Sequence, residues 1–167
     1  YNWRGVSQTT DNWSVQAELD YSVNVTEATQ FYISVWGSNV EYETAFRHAE
    51  TLELDAWGGF RGSLPFAEGV TWDLGAWGYT WPGQKTDIDF VEVYAGLGYD
   101  FGIASIKGKI FYSPDTYNSP TEEDSQYYTG DVSIPLPKGL SLGLHVGRWE
   151  IDNNTFVGYP DYTDWKI

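Results

Sequence analysis

Apolar and polar residues alternate along almost the whole chain, in stretches of about ten residues, and a period of two admits strands rather than helices. Val15, Ala17, Leu19, Tyr21 and Val23 alternate with Gln16, Glu18 and Asp20. Leu52, Leu54, Ala56 and Phe60 alternate with Glu53, Asp55 and Arg61, and Val91, Val93, Ala95, Leu97 and Tyr99 with Glu92 and Tyr94. The same rule sets Ala104, Ile106, Ile110 and Tyr112 against Lys107 and Lys109, and Leu140, Leu142, Leu144 and Val146 against Ser141, Gly143 and His145. The pattern predicts strands over 1–8, 13–24, 30–38, 51–62, 70–81, 90–100, 103–112, 126–134, 140–151 and 162–167, with no helix-period segment and no domain linker. The expected fold is all-β, antiparallel and up-and-down, in one domain spanning 1–167.

Alternation of this kind also describes a soluble sandwich or a lipocalin-like barrel with one wet face. Two features favour a transmembrane β-barrel. Several segments exceed the ~5–6 residues usual in globular sheets and approach the ~9–11 of a tilted membrane strand. The connections also alternate in length. Those at 24–29, 63–69, 100–102 and 135–139 are short, whereas those at 39–50, 82–89, 113–125 and 152–161 are longer and rich in acids such as Glu41, Glu43, Asp115 and Glu123. Short turns at one end and long loops at the other are what an outer-membrane barrel requires. This reading starts the chain at the short-turn end.

Mean hydropathy is −0.42, and no apolar run approaches the ~20 residues of a spanning helix, but a strand with one apolar face escapes that test. Only 9 Lys and Arg in a chain of net charge −15 argue against nucleic acid as a partner. With no Cys there is neither a disulfide framework nor a thiolate metal site.

Alternation assigns an inward polar face to Arg4, Glu18, Asp20, Glu53, Asp55, Arg61 and Asp73. It continues through Glu92, Lys107, Lys109, Asp131, His145, Asp164 and Lys166. These are the expected pore-lining residues, with Lys107 and Lys109 placed to pair across strands with Glu92. Acids outnumber bases, which predicts a mild cation preference if the lumen is open. A lining so charged could equally seal itself with salt bridges. Trp3, Trp13, Tyr32, Trp81, Tyr99, Tyr112, Trp149 and Trp165 fall near strand ends, the expected place of a membrane-interface girdle.

No catalytic constellation emerges. Ser141 and His145 lie ~13 Å apart along one strand, too far for a nucleophile–base bond. The pairs Glu18/Asp20 and Glu53/Asp55 arise automatically on a wet strand face. Thr121–Asp124 with Asp115 could hold Ca²⁺, but without EF-hand spacing a solvated loop is the simpler reading. No enzyme activity, metal or cofactor is expected.

Several stretches, read together, resemble the TorF-family porins of proteobacteria. They are GVSQTTDN (5–12), FYISVWGSNV (31–40), LELDAWGG (52–59), DFVEVYAGLGYDFG (89–102), FYSPD (111–115), IPLPKGLSLGLHVG (134–147) and YTDWKI (162–167), in that order. The resemblance implies export to the bacterial outer membrane behind a signal peptide, and closing strands after 167 that bring the total to about twelve. The implied function is passive diffusion of ions or small polar solutes. The implied surroundings are outer-membrane lipid, lipopolysaccharide and, during biogenesis, the barrel-assembly machinery. Two other expectations compete: a non-conducting structural or adhesive barrel with working acidic loops, and a secreted, soluble carbohydrate-binding β-protein.

Overall fold

The alternating stretches pair into one long antiparallel meander. The structure, a computed structural model, describes residues 1–10, 12–44, 47–83, 87–117, 123–152 and 161–167, with 42–51 described in backbone only. Two short strands, β1 (Asn2–Trp3) and β2 (Val6–Ser7), pair only with each other. The main sheet follows: β3 (Gln16–Asn24), β4 (Thr29–Thr44), β5 (Arg47–Leu64), β6 (Ala67–Thr80) and β7 (Phe90–Asp100). It continues through β8 (Ser105–Ser113), β9 (Ser125–Pro135), β10 (Ser141–Ile151) and β11 (Tyr162–Lys166). Each of these nine strands is hydrogen-bonded to its sequence neighbours, and among the described residues no ladder joins β3 to β11. The architecture is an all-β, antiparallel, up-and-down sheet with two free edges.

Two sequence expectations change here. The strand predicted over 1–8 is a small hairpin outside the main sheet, because Arg4 and Gly5 take positive φ (47° and 78°) and turn the chain back on itself. Gln8 and Thr10 lie beside Glu41, near the far end of the β4–β5 hairpin, so the chain does not start at the short-turn end. The connection predicted over 39–50 is mostly strand: β4 and β5 run 16 and 18 residues and stay paired out to Thr44 and Arg47. His48, expected in a loop, is on β5. The four short connections stand as expected, at one end of the sheet.

The sheet curls. Strands lie ~4.8 Å apart, so β6 and β10 would be ~19 Å apart in a flat sheet. Yet the Trp3 ring meets Tyr79 of β6 at 5.7 Å and Trp149 of β10 at 5.2 Å. The hydroxyl of Tyr32 on β4 likewise reaches Asp73 on β6 at 2.6 Å and the hydroxyl of Tyr94 on β7. All these residues share one parity, which defines the inner face.

Glycine lets the wall bend this tightly. A Cβ at Gly59, on the inner face, would stand 2.1 Å from the carbonyl oxygen of Leu74 and 2.7 Å from Cα of Gly75. Backbone cannot yield there without breaking the β5–β6 ladder. Gly59→Ala is therefore expected to destabilise the folded chain by about 1–3 kcal/mol. Gly143→Ala, on β10 with nothing within 4 Å of its Cβ, is expected to change stability by less than ~0.5 kcal/mol. Urea unfolding of the folded chain measures both.

Candidate functional site

The inner face carries most of the buried charge, and its centre is the N-terminal hairpin. Both central residues of its two-residue turn have positive φ, the backbone of a type I′ hairpin. Gly5 adopts this freely, but Arg4 does so at a cost. Its side chain offsets that cost. The Arg4 guanidinium donates from Nη2 to both carboxylate oxygens of Glu92, at 2.8 and 2.6 Å, with both side chains buried. Glu92 also accepts the Tyr79 hydroxyl at 2.9 Å. Four rings surround the guanidinium: Tyr127 at 4.2 Å, Trp3 at 4.4 Å, Trp149 at 5.2 Å and Phe111 at 5.5 Å. Burial by itself works most strongly against the charge on Arg4, but the field and hydrogen bond of Glu92, with Tyr79 and Tyr127, together outweigh it and hold the pKa above its ordinary value.

The hairpin reaches across the curl. At one side the Tyr1 hydroxyl donates to Glu53, and the ring sits edge-on to Trp36 of β4 at 5.1 Å. At the other side Gly5 abuts Asp164 of β11, so closely that a Cβ there would lie 2.6 Å from the Cβ of Asp164. Above the ion pair, Val40, Tyr79, Trp81 and Phe90 form one buried cluster, and Tyr127, Trp149 and Ile151 form another. Trp3 packs against both. At this level the inner space is filled.

Towards the short-turn end the lining is polar and less crowded. Asp73 accepts Lys109 at 2.6 Å and Tyr32 at 2.6 Å, while Lys107 stands off at 3.9 Å. His145 lies between two carboxylates, with Nδ1 2.7 Å from Asp131 and Nε2 3.3 Å from Asp164. Tyr127 donates to Asp164 at 2.9 Å.

The strand-borne residues expected to line a pore all share the inner parity: Glu18, Asp20, Glu53, Asp55, Arg61, Asp73, Glu92, Lys107, Lys109, Asp131, His145, Asp164 and Lys166. Arg4 joins them from the hairpin instead of a wall strand. The expected pairing of Lys107 and Lys109 with Glu92 is corrected: register puts Lys109 opposite Gly96, next to Asp73, and Arg4 occupies Glu92. The girdle expectation is corrected for Trp3, Tyr32, Trp81 and Trp149, which are inside: Tyr32, Trp81 and Trp149 are buried and Trp3 half-buried, held by ring contacts and, for Tyr32, by its hydrogen bond to Asp73. Trp13, Tyr99, Tyr112 and Trp165 do face outward.

Sequence reasoning passed over Trp57, Trp77, Tyr79 and Phe90, whose parity matches Asp55 and Glu92 and would have placed them inside. Trp57 and Trp77 stack at 4.1 Å, and Trp77 donates to Asp55 at 3.2 Å. Part of the proposed Ca²⁺ loop, 121–122, lies outside the described residues, and no cluster of metal-ligating residues occurs among those described.

Fold and inner face together define a curled all-β meander with most of its buried charge on the inner face and apolar side chains along the outer face. The chain belongs to a family of bacterial proteins of unknown function, designated Gcw_chp, whose model matches residues 1–167. Searches of curated proteins and of solved structures each returned no match.

Proposed function

We propose that the chain builds the wall of a transmembrane β-barrel in the bacterial outer membrane, and that this barrel is a passive pathway for small polar solutes throttled by its own N-terminal hairpin. The observation that carries the reading is inverted polarity. Outer-face Leu19, Leu97 and Val91 are 75%, 63% and 59% exposed, whereas inner-face Glu92 and Glu53 are 1% and 2% exposed. Each strand of the main sheet contributes to the apolar outer face, down to Trp165 of β11. Monomeric soluble proteins rarely expose contiguous apolar patches beyond a few hundred Å². On β7 this face runs from Val91 to Tyr99, about 26 Å along the strand, comparable to the ~25 Å apolar band of outer-membrane barrels.

The ordered resemblance to TorF-family porins supports the same reading, as do short turns gathered at one end. An outward apolar face argues against a soluble carbohydrate-binding protein. The filled inner face favours a second reading, a structural barrel that conducts nothing, in which acidic loops meet lipopolysaccharide. Both readings require delivery to the membrane by the barrel-assembly machinery.

Planar-bilayer recording separates the two. The intact chain is expected to give small, infrequent openings, and the chain lacking residues 1–8 larger and steadier ones. Silence from both would leave the structural reading. Equal conductance would show that the hairpin throttles nothing.

A further inference from the structure

Two cations near the short-turn mouth, Arg61 and Lys107, hold no acid at hydrogen-bonding distance among the described residues. Arg61 of β5 makes no ion pair among the described residues. Its Nε and Nη2 donate to Gln30 at 2.9 and 2.7 Å, and its guanidinium lies over the Tyr32 ring at 4.7 Å. The side chain is thus held in place while its charge stays uncompensated. Lys107 of β8, half-exposed, faces the same space. Its two nearby acids are committed elsewhere: Asp73 to Lys109 and Tyr32, and Asp131 to His145.

Between the two cations, β6 contributes Thr71 and Asp73 to the inner face and β7 only Gly96 and Gly98. The missing side chains leave a cleft of about 330 Å³, rimmed by the β3–β4 turn that carries Glu27. Arg61, Lys107 and the Lys109 that pairs with Asp73 outnumber Asp73 and the rim residue Glu27, so in a chain of net charge −15 this recess is locally basic. A guanidinium fixed by an amide and an aromatic face, an ammonium 3.9 Å from the nearest carboxylate and a threonine hydroxyl form a donor set for a planar or tetrahedral oxyanion.

We infer that this cleft binds small oxyanionic solutes, carboxylates or phosphate, that enter from the short-turn end. The site rests on the barrel reading for its biological role, since it names the class of solute that the pathway would receive. It also displaces net charge as a guide to selectivity. Two of the acids that made the lining look cation-preferring are neutralised in place, Glu92 by Arg4 and Asp73 by Lys109, whereas Arg61 and Lys107 face the accessible recess.

The test is isothermal titration of the full chain, folded in non-ionic detergent, with succinate and separately with inorganic phosphate. Saturable binding is expected for at least one. Lys107→Gln and Arg61→Gln are each expected to weaken it about tenfold, as loss of a charge-assisted contact does. Glu27→Gln, which removes the repelling charge at the rim, is expected to tighten it. Arg148→Gln, on the outer face, is expected to leave it unchanged. Because Arg61 is also packed on Tyr32, Lys107→Gln is the deciding variant; its half-exposed side chain can be removed without unfolding the wall.

Three results overturn the site: no saturable binding, binding that Lys107→Gln leaves intact, or binding that sodium chloride at matched ionic strength abolishes. Titration in detergent needs neither insertion nor conductance. A chain that binds succinate but never enters vesicles keeps the site and loses the barrel. A chain that conducts but binds neither anion does the reverse.

Discussion

A chain carrying Val93→Arg is expected to lose insertion into lipid vesicles. Val93 sits in the middle of β7 on the outer face, between Val91 and Ala95 on its own strand and opposite Ala76 and Tyr112 on the neighbouring ones. It is 56% exposed. If that face met water, a polar substitution at so open a position would change stability by less than ~0.5 kcal/mol and would raise solubility. If it meets hydrocarbon, arginine near the midplane costs about 2–4 kcal/mol. That corresponds to roughly a thirty- to several-hundred-fold loss of the inserted form. The fraction of chain with heat-modifiable gel migration after incubation with vesicles measures it. The two environments predict opposite outcomes for one substitution.

Arg4→Ala has the second large effect. It leaves Glu92 buried with no cation, the situation in which removing one partner of a buried pair costs about 3–5 kcal/mol. The Tyr79 hydroxyl remains as a donor to Glu92 but brings no charge. Arg4→Leu combined with Glu92→Leu removes both charges together, and most of the lost stability is expected to return. The urea midpoint of the detergent-folded chain reads both variants. Arg4→Ala alone is also expected to unseat the hairpin, so in bilayers its openings should resemble those of the chain lacking residues 1–8. A midpoint within experimental scatter of the wild type would remove the ion pair from its place at the centre of the inner face.

The wall was legible in the sequence wherever strand parity was followed. Glu92 inside and Val93 outside could be read from alternation alone, and so could the inner parity of the charges assigned to that face from Glu18 to Lys166. The errors arose where residue chemistry was allowed to override parity. Trp149 has the parity of His145 and therefore faces inward, yet its place near a strand end suggested a membrane interface. Tyr32 and Trp81 went astray the same way, through a rule about where aromatic rings tend to gather.

Two further features lay beyond a period-two reading. Glu41, Glu43 and Glu50 looked like a loop because charge stands at the parity that carries apolar residues along the rest of these strands. On the proposed barrel reading, a hairpin that projects past the apolar band into water has no reason to keep one face apolar, so its strands lose the signature while keeping their ladder. The Arg4–Gly5 turn broke a segment whose alternation looked continuous. An arginine in the left-handed region is not signalled by its neighbours; it is held there by Glu92, 88 residues away. Contacts of that range, including Lys109 with Asp73 and Tyr32 with Tyr94, depend on curl, and curl is a property of the whole sheet.

The central claim is that the outer face of the meander meets lipid, and the chain's lack of cysteine makes it directly measurable. Single cysteines introduced one at a time from 91 to 97, labelled with a small fluorophore and reconstituted in vesicles, report contact with lipid through quenching by nitroxide-bearing acyl chains. The account predicts strong quenching at 91, 93, 95 and 97 and little at 92, 94 and 96. Absence of that alternation, with aqueous iodide instead reaching 93 and 97, would contradict it.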